Sequence, residues 1–161
     1  MHAIISGNRI VGWREWLCLP ELGVAAIKAK VDTGARSSAL HVIWQKRTTH
    51  SGAPWVRFAI EPDGSVAGVV ESEQAIIDER DVTDSGGHTI RRPFIRTVLQ
   101  MGDTRWPIDI NLAERRRMLF PMLLGRTAMS GRVLVDPMQS FTLARPQVLP
   151  LAPLQEVPQG I

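Results

Sequence analysis

Residues 26–34 read AIKAKVDTG, in which apolar and basic residues alternate until an aspartate is reached. The two-residue period is typical of a β-strand with one buried face. Asp32 directly follows that strand, so its loop is anchored by a buried element. Gly34 lets the backbone approach the carboxylate and donate its N–H, and Thr33 adds a hydroxyl to the same loop. The segment therefore predicts a strand that presents Asp32 on a tight turn.

A second short apolar segment, MLLG at residues 122–125, follows much later and predicts a fully buried strand that ends in glycine. Other short strands are predicted from alternation between turn signals, and they cover residues 10–13, 16–19, 26–31, 38–44, 55–60, 66–77, 93–101, 104–112, 132–135 and 140–143. Residues 113–118 predict a helical turn, and residues 126–129 a short helix. Many short strands at close spacing favour an all-β sandwich or small barrel.

The bulk composition limits the classes of function. The chain has 161 residues and a formal net charge of +3, which suits one domain of residues 1–144. The proline-rich segment 145–161 is expected to be an extended or disordered tail. The basic residues are scattered and no long apolar segment exists, so we expect neither nucleic-acid nor membrane binding. A single cysteine and the lack of a signal-like N-terminus favour the cytoplasm.

The two motifs together resemble a known family. Aspartic proteases pair an Asp-Thr-Gly-Ala loop with a later hydrophobic-hydrophobic-Gly segment, which retroviral enzymes end in Gly-Arg. More narrowly, residues 29–41, 121–129 and 135–137 resemble a bacterial family of retropepsin-like proteins, often labelled ATP-dependent zinc proteases. The resemblance implies an all-β, small closed or partly closed barrel of the retropepsin (acid protease) type, with one or two short helices.

The resemblance also implies a mechanism. Each chain supplies one aspartate, so an aspartic endopeptidase site needs a homodimer in which two copies of Asp32 share a proton and activate a water. Thr33 and Gly34 would complete the catalytic loop. No cofactor or metal is required by this chemistry. The expected substrate is a peptide or protein, acidic or glutamate-tailed, because similar proteins tend to occur beside glutamate-ligating enzymes.

Further residues are implied to bind substrate. They comprise residues beside the catalytic loop, a glycine-rich hairpin flap and the second motif, namely Ala35, Arg36, Ser85, Gly86, Gly87, Leu124, Gly125 and Arg126. The turn at residues 63–64 is the alternative flap. Flap closure would exclude water from the site.

One departure affects the loop. Retroviral enzymes place an acidic residue after Asp-Thr-Gly-Ala, where it pairs with the arginine of Gly-Arg, but this chain has Arg36 there. Asp109, Glu114 and Asp136 are possible new partners for Arg126.

Two other functions remain open: a non-catalytic peptide-binding module of retropepsin fold and a zinc-dependent hydrolase. A catalytic zinc needs three protein ligands, but the four histidines are far apart and no His-Glu-x-x-His motif exists. The acidic residues near His88 predict a solvated hairpin face rather than a metal site. No phosphate-binding glycine loop supports use of ATP.

Overall fold

The computed structural model describes residues 4–5, 7–62, 68–114 and 119–145. The strands are β1 Ile4–Ile5, β2 Asn8–Val11, β3 Arg14–Leu19, β4 Val24–Val31, β5 Ser38–Val42, β6 Trp44–His50, β7 Ala53–Ile60, β8 Val70–Ala75, β9 Asp78–Thr83, β10 Thr89–Met101, β11 Thr104–Glu114, β12 Met122–Leu124 and β13 Val133–Val135. A 3₁₀ turn at Pro20–Leu22 and helix α1, Arg126–Met129, complete the set. The predicted all-β class is confirmed.

Six strands close into a barrel. Their order is β11-β5-β12-β4-β3-β10, and pairing of β10 with β11 closes the ring. Strand β9 pairs with β10 outside the ring, and two further sheets hold β1-β2-β13 and β6-β7-β8. The closed barrel that the resemblance implied is confirmed. No helix among the described residues is long and apolar enough to cross a membrane.

The order of the barrel strands contains one unusual connection. Strand β12 pairs in parallel with β4, Leu124 opposite Val31, and antiparallel with β5, Met122 opposite Leu40. The segment after Asp32 leads directly into β5, so β12 is inserted between the two strands that flank the aspartate loop. Aspartic proteases, which the sequence resembles, likewise pass one strand through the loop of another.

Alternation along the strands builds the core. In β4, Ile27, Ala29 and Val31 point inward and are buried, whereas Lys28 and Lys30 point outward. The largest fully buried side chains come from all around the ring and from β7 of the neighbouring sheet, and they include Leu17, Ile27, Leu40, Phe58, Ile95, Leu99, Ile110 and Leu112. Burying each such side chain stabilises the fold by roughly 1.5–3 kcal/mol.

Gly125 is the tightest point of the threaded segment. A Cβ built on Gly125 would lie 2.5 Å from the carbonyl carbon of Ser37 and 2.6 Å from its oxygen. These are backbone atoms of the loop after Asp32, which cannot rotate away. Only a residue without a side chain therefore lets the end of β12 approach this loop.

Three sequence expectations differ from the structure. The predicted strand 38–44 is interrupted at Ile43, where β5 ends and β6 begins. The predicted helical turn at 113–118 is wrong at Ala113 and Glu114, which end β11, and its remainder lies outside the described residues. The predicted strand 140–143 is absent, because Phe141 has φ +50° and cannot continue an extended strand. The expected tail lies outside the described residues from position 146 onward, so the domain boundary stays a prediction.

A buried carboxylate takes the place of strand pairing at residues 141–143. Glu15, on β3, is fully buried and accepts hydrogen bonds from the Thr142 backbone N–H at 3.0 Å and its hydroxyl at 2.9 Å. The Leu143 N–H also donates to Glu15, at 3.4 Å. Phe141 N donates to Arg14 O at 2.9 Å. Glu15 thus fastens the C-terminal segment to the barrel.

Glu15→Ala is expected to lower the free energy of unfolding by about 2–4 kcal/mol, because it leaves buried backbone donors without acceptors. Urea denaturation would measure the change. Glu21→Ala, at an exposed glutamate, is the matched control and should change stability by less than about 0.5 kcal/mol. An equal effect of the two substitutions would contradict the role assigned to Glu15.

Gly125→Ala is expected to lower the free energy of unfolding by about 1–3 kcal/mol through overpacking against the loop after Asp32. Gly86→Ala is the control, since its Cβ would meet only the His88 and Asp84 side chains, at 3.1 Å and beyond. Thermal unfolding would compare the stability of the two variants. An unfolding temperature of Gly125→Ala equal to that of the wild type would contradict the requirement for glycine at this position.

Candidate active site

The Asp32 loop is held by its own backbone and by β12. Asp32 N donates to Leu124 O at 2.9 Å, which extends the pairing of β4 and β12 by one residue. The Asp32 Oδ1 atom accepts the Gly34 N–H at 2.9 Å, and Ala35 N donates to Asp32 O at 3.3 Å. Asp32 is half-buried, while Thr33 and Gly34 are exposed. The carboxylate is therefore oriented by a backbone donor and remains accessible.

Arg126 binds the same loop from the other side. Its Nη1 atom donates to Thr33 O at 3.1 Å and to Gly34 O at 2.9 Å. Its backbone N–H donates to Ala35 O at 2.8 Å. A guanidinium presents several donors in a rigid plane, so one side chain can satisfy two neighbouring carbonyls. In the described structure, Arg126 supports the turn that carries Asp32.

The three acidic residues considered as partners of Arg126 do not take that role. Asp109 pairs with Arg96, with Nε and Oδ1 2.9 Å apart. Asp136 instead closes its own turn: a Gln139 amide and the Met138 N–H donate to its carboxylate and lower its pKa. Glu114 is exposed at the end of β11. Backbone carbonyls have replaced the missing ion pair, which explains how Arg36 is tolerated at this position.

Leu124 and Gly125 lie behind the loop. Leu124 is fully buried, and the Gly125 N–H donates to the Ser38 hydroxyl at 3.0 Å. Their predicted contact with substrate is not tested by this arrangement. The arrangement does show both residues supporting the aspartate loop from the core side.

A buried polar network backs this arrangement, and the sequence reasoning missed it. Arg92 donates to Asn111 Oδ1 at 3.1 Å, and Asn111 Nδ2 donates to Ser38 O at 2.8 Å. Ser38 in turn accepts the Gly125 N–H, so the network runs from β10 to the end of β12. The available signal was an asparagine among the apolar residues at the end of β11, where a buried polar group needs partners.

The predicted hairpin flap is a well-formed turn. Residues 84–88 connect β9 to β10, and Asp84 Oδ1 accepts the N–H groups of Gly86 and His88, both at 2.9 Å. Gly87 has φ +83°, which suits glycine. The hairpin itself is confirmed, but its role as a flap, and that of Ser85, Gly86 and Gly87 in binding, stays a prediction. The alternative flap at 63–64 lies outside the described residues.

A cleft of about 420 Å³ opens beside the loop after Asp32. Its lining comes from that loop, β9, β10, β11 and α1, and consists of Arg36, Ser37, Arg80, Phe94, Arg96, Pro107, Ile108, Asp109 and Thr127. Arg80 lies 3.9 Å from the Phe94 ring centroid, and Arg96 is paired with Asp109. Arg80 also pairs with Asp78 at 2.8 Å, so Arg36 is the lining arginine that has no ion pair among the described residues, and it leaves the cleft net positive.

Two further titratable groups, Cys18 and Glu73, lie away from the Asp32 loop. Burial raises the pKa of the Cys18 thiol, so its reactive thiolate is disfavoured. A hydrogen bond from His50 is the main cause of a lowered pKa at Glu73, on the β6-β7-β8 sheet. Within residues 7–62, 68–114 and 119–145, no group of three or more His, Cys, Asp or Glu side chains could hold a metal ion.

The chain is similar to several known proteins. Three proteins named "Probable alpha-L-glutamate ligase" are similar to the chain: from Shewanella pealeana, 40% identical over 86% of this chain; Shewanella halifaxensis, 41% over 88%; and Parasynechococcus marenigrum, 44% over 83%. The chain spans only 29–31% of the length of these relatives. The crystal structure of a Legionella pneumophila protein with unknown function (DUF785) superposes with a TM-score of 0.69 at 30% identity, covering 83% of this chain and 96% of that one.

Residues 10–146 also match the RimB-like family, described as retropepsin-like aspartic endopeptidase RimB. That match includes the Asp32 loop, the threaded strand β12 and the Glu15-held segment. The chain belongs to the RimB-like family of retropepsin-like proteins.

Proposed function

We propose that this protein is an aspartic peptidase whose site forms when two copies place Asp32 side by side. The observation that carries the proposal is the Asp32 carboxylate, oriented by the Gly34 N–H on an exposed loop that β12 and Arg126 hold from behind. A rigid, accessible carboxylate at the mouth of a barrel suits general acid–base catalysis. The family supports the same reading.

The chemistry follows from two carboxylates in contact. Two carboxyl groups at hydrogen-bond distance do not both ionise, because their like charges would repel each other. The pair would therefore hold one proton between them. The ionised carboxylate takes a proton from a bound water, whose oxygen attacks the scissile carbonyl carbon. The protonated partner gives its proton to the carbonyl oxygen. Collapse of the tetrahedral intermediate breaks the C–N bond: the carboxyl group that took the water proton gives it to the leaving nitrogen, and the other carboxylate takes a proton back from a hydroxyl of the intermediate.

One chain supplies only half of this site. Among the described residues, no hydrogen bond joins Asp32 to a second carboxylic acid. A two-fold arrangement in which the same surface meets itself would bring a second Asp32 into place. The exposure of Thr33 and Gly34 leaves this surface open to a second copy.

The proposed substrate is an acidic or glutamate-tailed peptide. Relatives that contain this region within a much longer chain are named as probable glutamate ligases, so one polypeptide links the region to glutamate addition. The positive cleft beside Arg36 would favour carboxylates. A protein that removes residues added by such ligases would need this preference.

Asp32→Asn is expected to abolish peptide cleavage while leaving the unfolding temperature within a few degrees, because the amide can still accept the Gly34 N–H but cannot act as a base. Cleavage of a glutamate-rich peptide, followed by mass spectrometry, would measure activity. Asp81→Asn, at an exposed aspartate of β9, is the control.

Full activity of Asp32→Asn would reject the aspartic mechanism. Activity lost to a chelator but retained in Asp32→Asn would favour a zinc hydrolase instead. Peptide binding by the wild-type protein, with no cleavage at any pH tested, would favour a binding module.

Mixing wild-type and Asp32→Asn subunits offers a separate test of the shared site. If each site needs Asp32 from both copies, an equal mixture after subunit exchange should retain about a quarter of the activity of undiluted wild type, because only dimers of two wild-type chains are active. Sites complete within one chain would retain about half. Sedimentation analysis of the same samples would establish whether the subunits associate.

A further inference from the structure

We propose that the outer face of β3 and β4 is a specificity-determining track that binds substrate carboxylates next to Asp32. The track consists of Arg14, Lys28 and Lys30. It rests on the proposed peptidase function, but it predicts binding that can be measured without cleavage.

Strand geometry places the track close in sequence to Asp32. Alternate residues of a strand share a face, so Lys28 and Lys30 both lie on the outer side of β4, and Asp32 directly follows the end of that strand. On the neighbouring strand, Arg14 lies directly opposite Lys30 and Trp16 opposite Lys28. A peptide that reaches Asp32 along this face therefore meets three cations.

Aromatic rings contact two of these cations, Arg14 and Lys28. The Arg14 guanidinium lies 4.5 Å from the Trp13 ring centroid and 4.7 Å from that of Phe141. The Lys28 ammonium lies 5.7 Å from the Phe120 ring centroid. Trp13 meets Phe120 edge-on, with 6.0 Å between the ring centroids, so the contacts form one continuous series. A guanidinium stacked on a ring keeps its edge N–H groups free for a carboxylate.

The series continues past β3 to the C-terminal segment. Trp16 stacks on Phe141 with ring centroids 6.0 Å apart, and the Arg145 guanidinium lies 4.6 Å from the Trp16 ring centroid. Three cations thus lie on this series of rings. Their positive charge favours an occupant that brings carboxylates.

The positive charge of the track is not neutralised within the described part of the chain. None of Arg14, Lys28 and Lys30 has a carboxylate of a described residue within 4.0 Å, in contrast to Arg9, Arg57 and Arg96. Like charges directly opposite each other on paired strands are unfavourable, so the Arg14–Lys30 pair favours an anion from outside.

The spacing fits an extended acidic chain. Lys28 and Lys30 are two residues apart on one strand, roughly 6.6 Å, which is also the spacing of alternate side chains in an extended peptide. A glutamate-rich peptide lying along β4 would place one carboxylate opposite each lysine. The track would then add to the positive cleft around Arg36 and set the preference for acidic residues next to the cleaved bond.

The test compares two peptides of equal length, one of glutamates around the cleaved bond and one of glutamines. Lys28→Gln/Lys30→Gln is expected to lower the ratio of kcat/KM for the glutamate peptide over the glutamine peptide about tenfold, mainly through KM. Lys28→Arg/Lys30→Arg should retain the wild-type ratio. Lys46→Gln, at an exposed lysine on β6, is the control and should leave the ratio unchanged.

Binding separates failure of the track from failure of the proposed function. Fluorescence anisotropy of the labelled glutamate peptide with Asp32→Asn protein should show affinity that falls with added salt and with Lys28→Gln/Lys30→Gln, even if no peptide is cleaved. The proposed track is overturned if the double variant keeps the wild-type peptide affinity and the wild-type ratio of kcat/KM values, or if only Arg36→Gln lowers them. It is also overturned if single-stranded nucleic acid displaces the labelled glutamate peptide at far lower concentration than unlabelled glutamate peptide does.

Discussion

The structure depends on the insertion of β12 between β4 and β5. These two strands flank the Asp32 loop, and β12 supplies the carbonyl of Leu124 that fixes the Asp32 backbone at 2.9 Å. The next two residues extend the constraint: Gly125 permits close approach to Ser37, and Arg126 binds the loop carbonyls. Because the flanking strands and the inserted strand belong to one closed ring, the loop is anchored at both ends by paired strands.

Support from behind the loop comes from polar groups in an otherwise apolar core. Asn111, buried on β11, connects Arg92 to Ser38, and Ser38 connects to Gly125. In a low-dielectric interior such a network is stabilising only when each member is satisfied, and it then specifies one arrangement. The position of the aspartate is thus determined by directional hydrogen bonds, while the apolar core supplies most of the favourable free energy.

The local patterns were strong enough to predict the elements near the site. The alternation before Asp32, the apolar residues before Gly125 and the turn residues between strands each reflect local constraints, and the structure confirms those strands. Residues 140–143 were mispredicted, because Phe141 has φ +50° and the N–H groups of Thr142 and Leu143 bind Glu15, a partner more than a hundred residues away in sequence. The partners of Arg126 were mispredicted for a similar reason: the sequence shows which side chains carry charge, but not which backbone carbonyls a fold will present.

The register of β3 against β4 links the C-terminal segment to the substrate face. With Arg14 opposite Lys30, Glu15 points into the barrel and binds Thr142, whereas Arg14 and Trp16 point outward. A shift of one residue would bury the arginine and expose the glutamate, since successive side chains alternate faces. Phe141, which the Glu15-held segment positions, also stacks on Trp16 and contacts Arg14. The buried carboxylate therefore acts on the charged face indirectly: by fastening the segment that carries Phe141, it fixes the ring on which the Arg14 guanidinium rests.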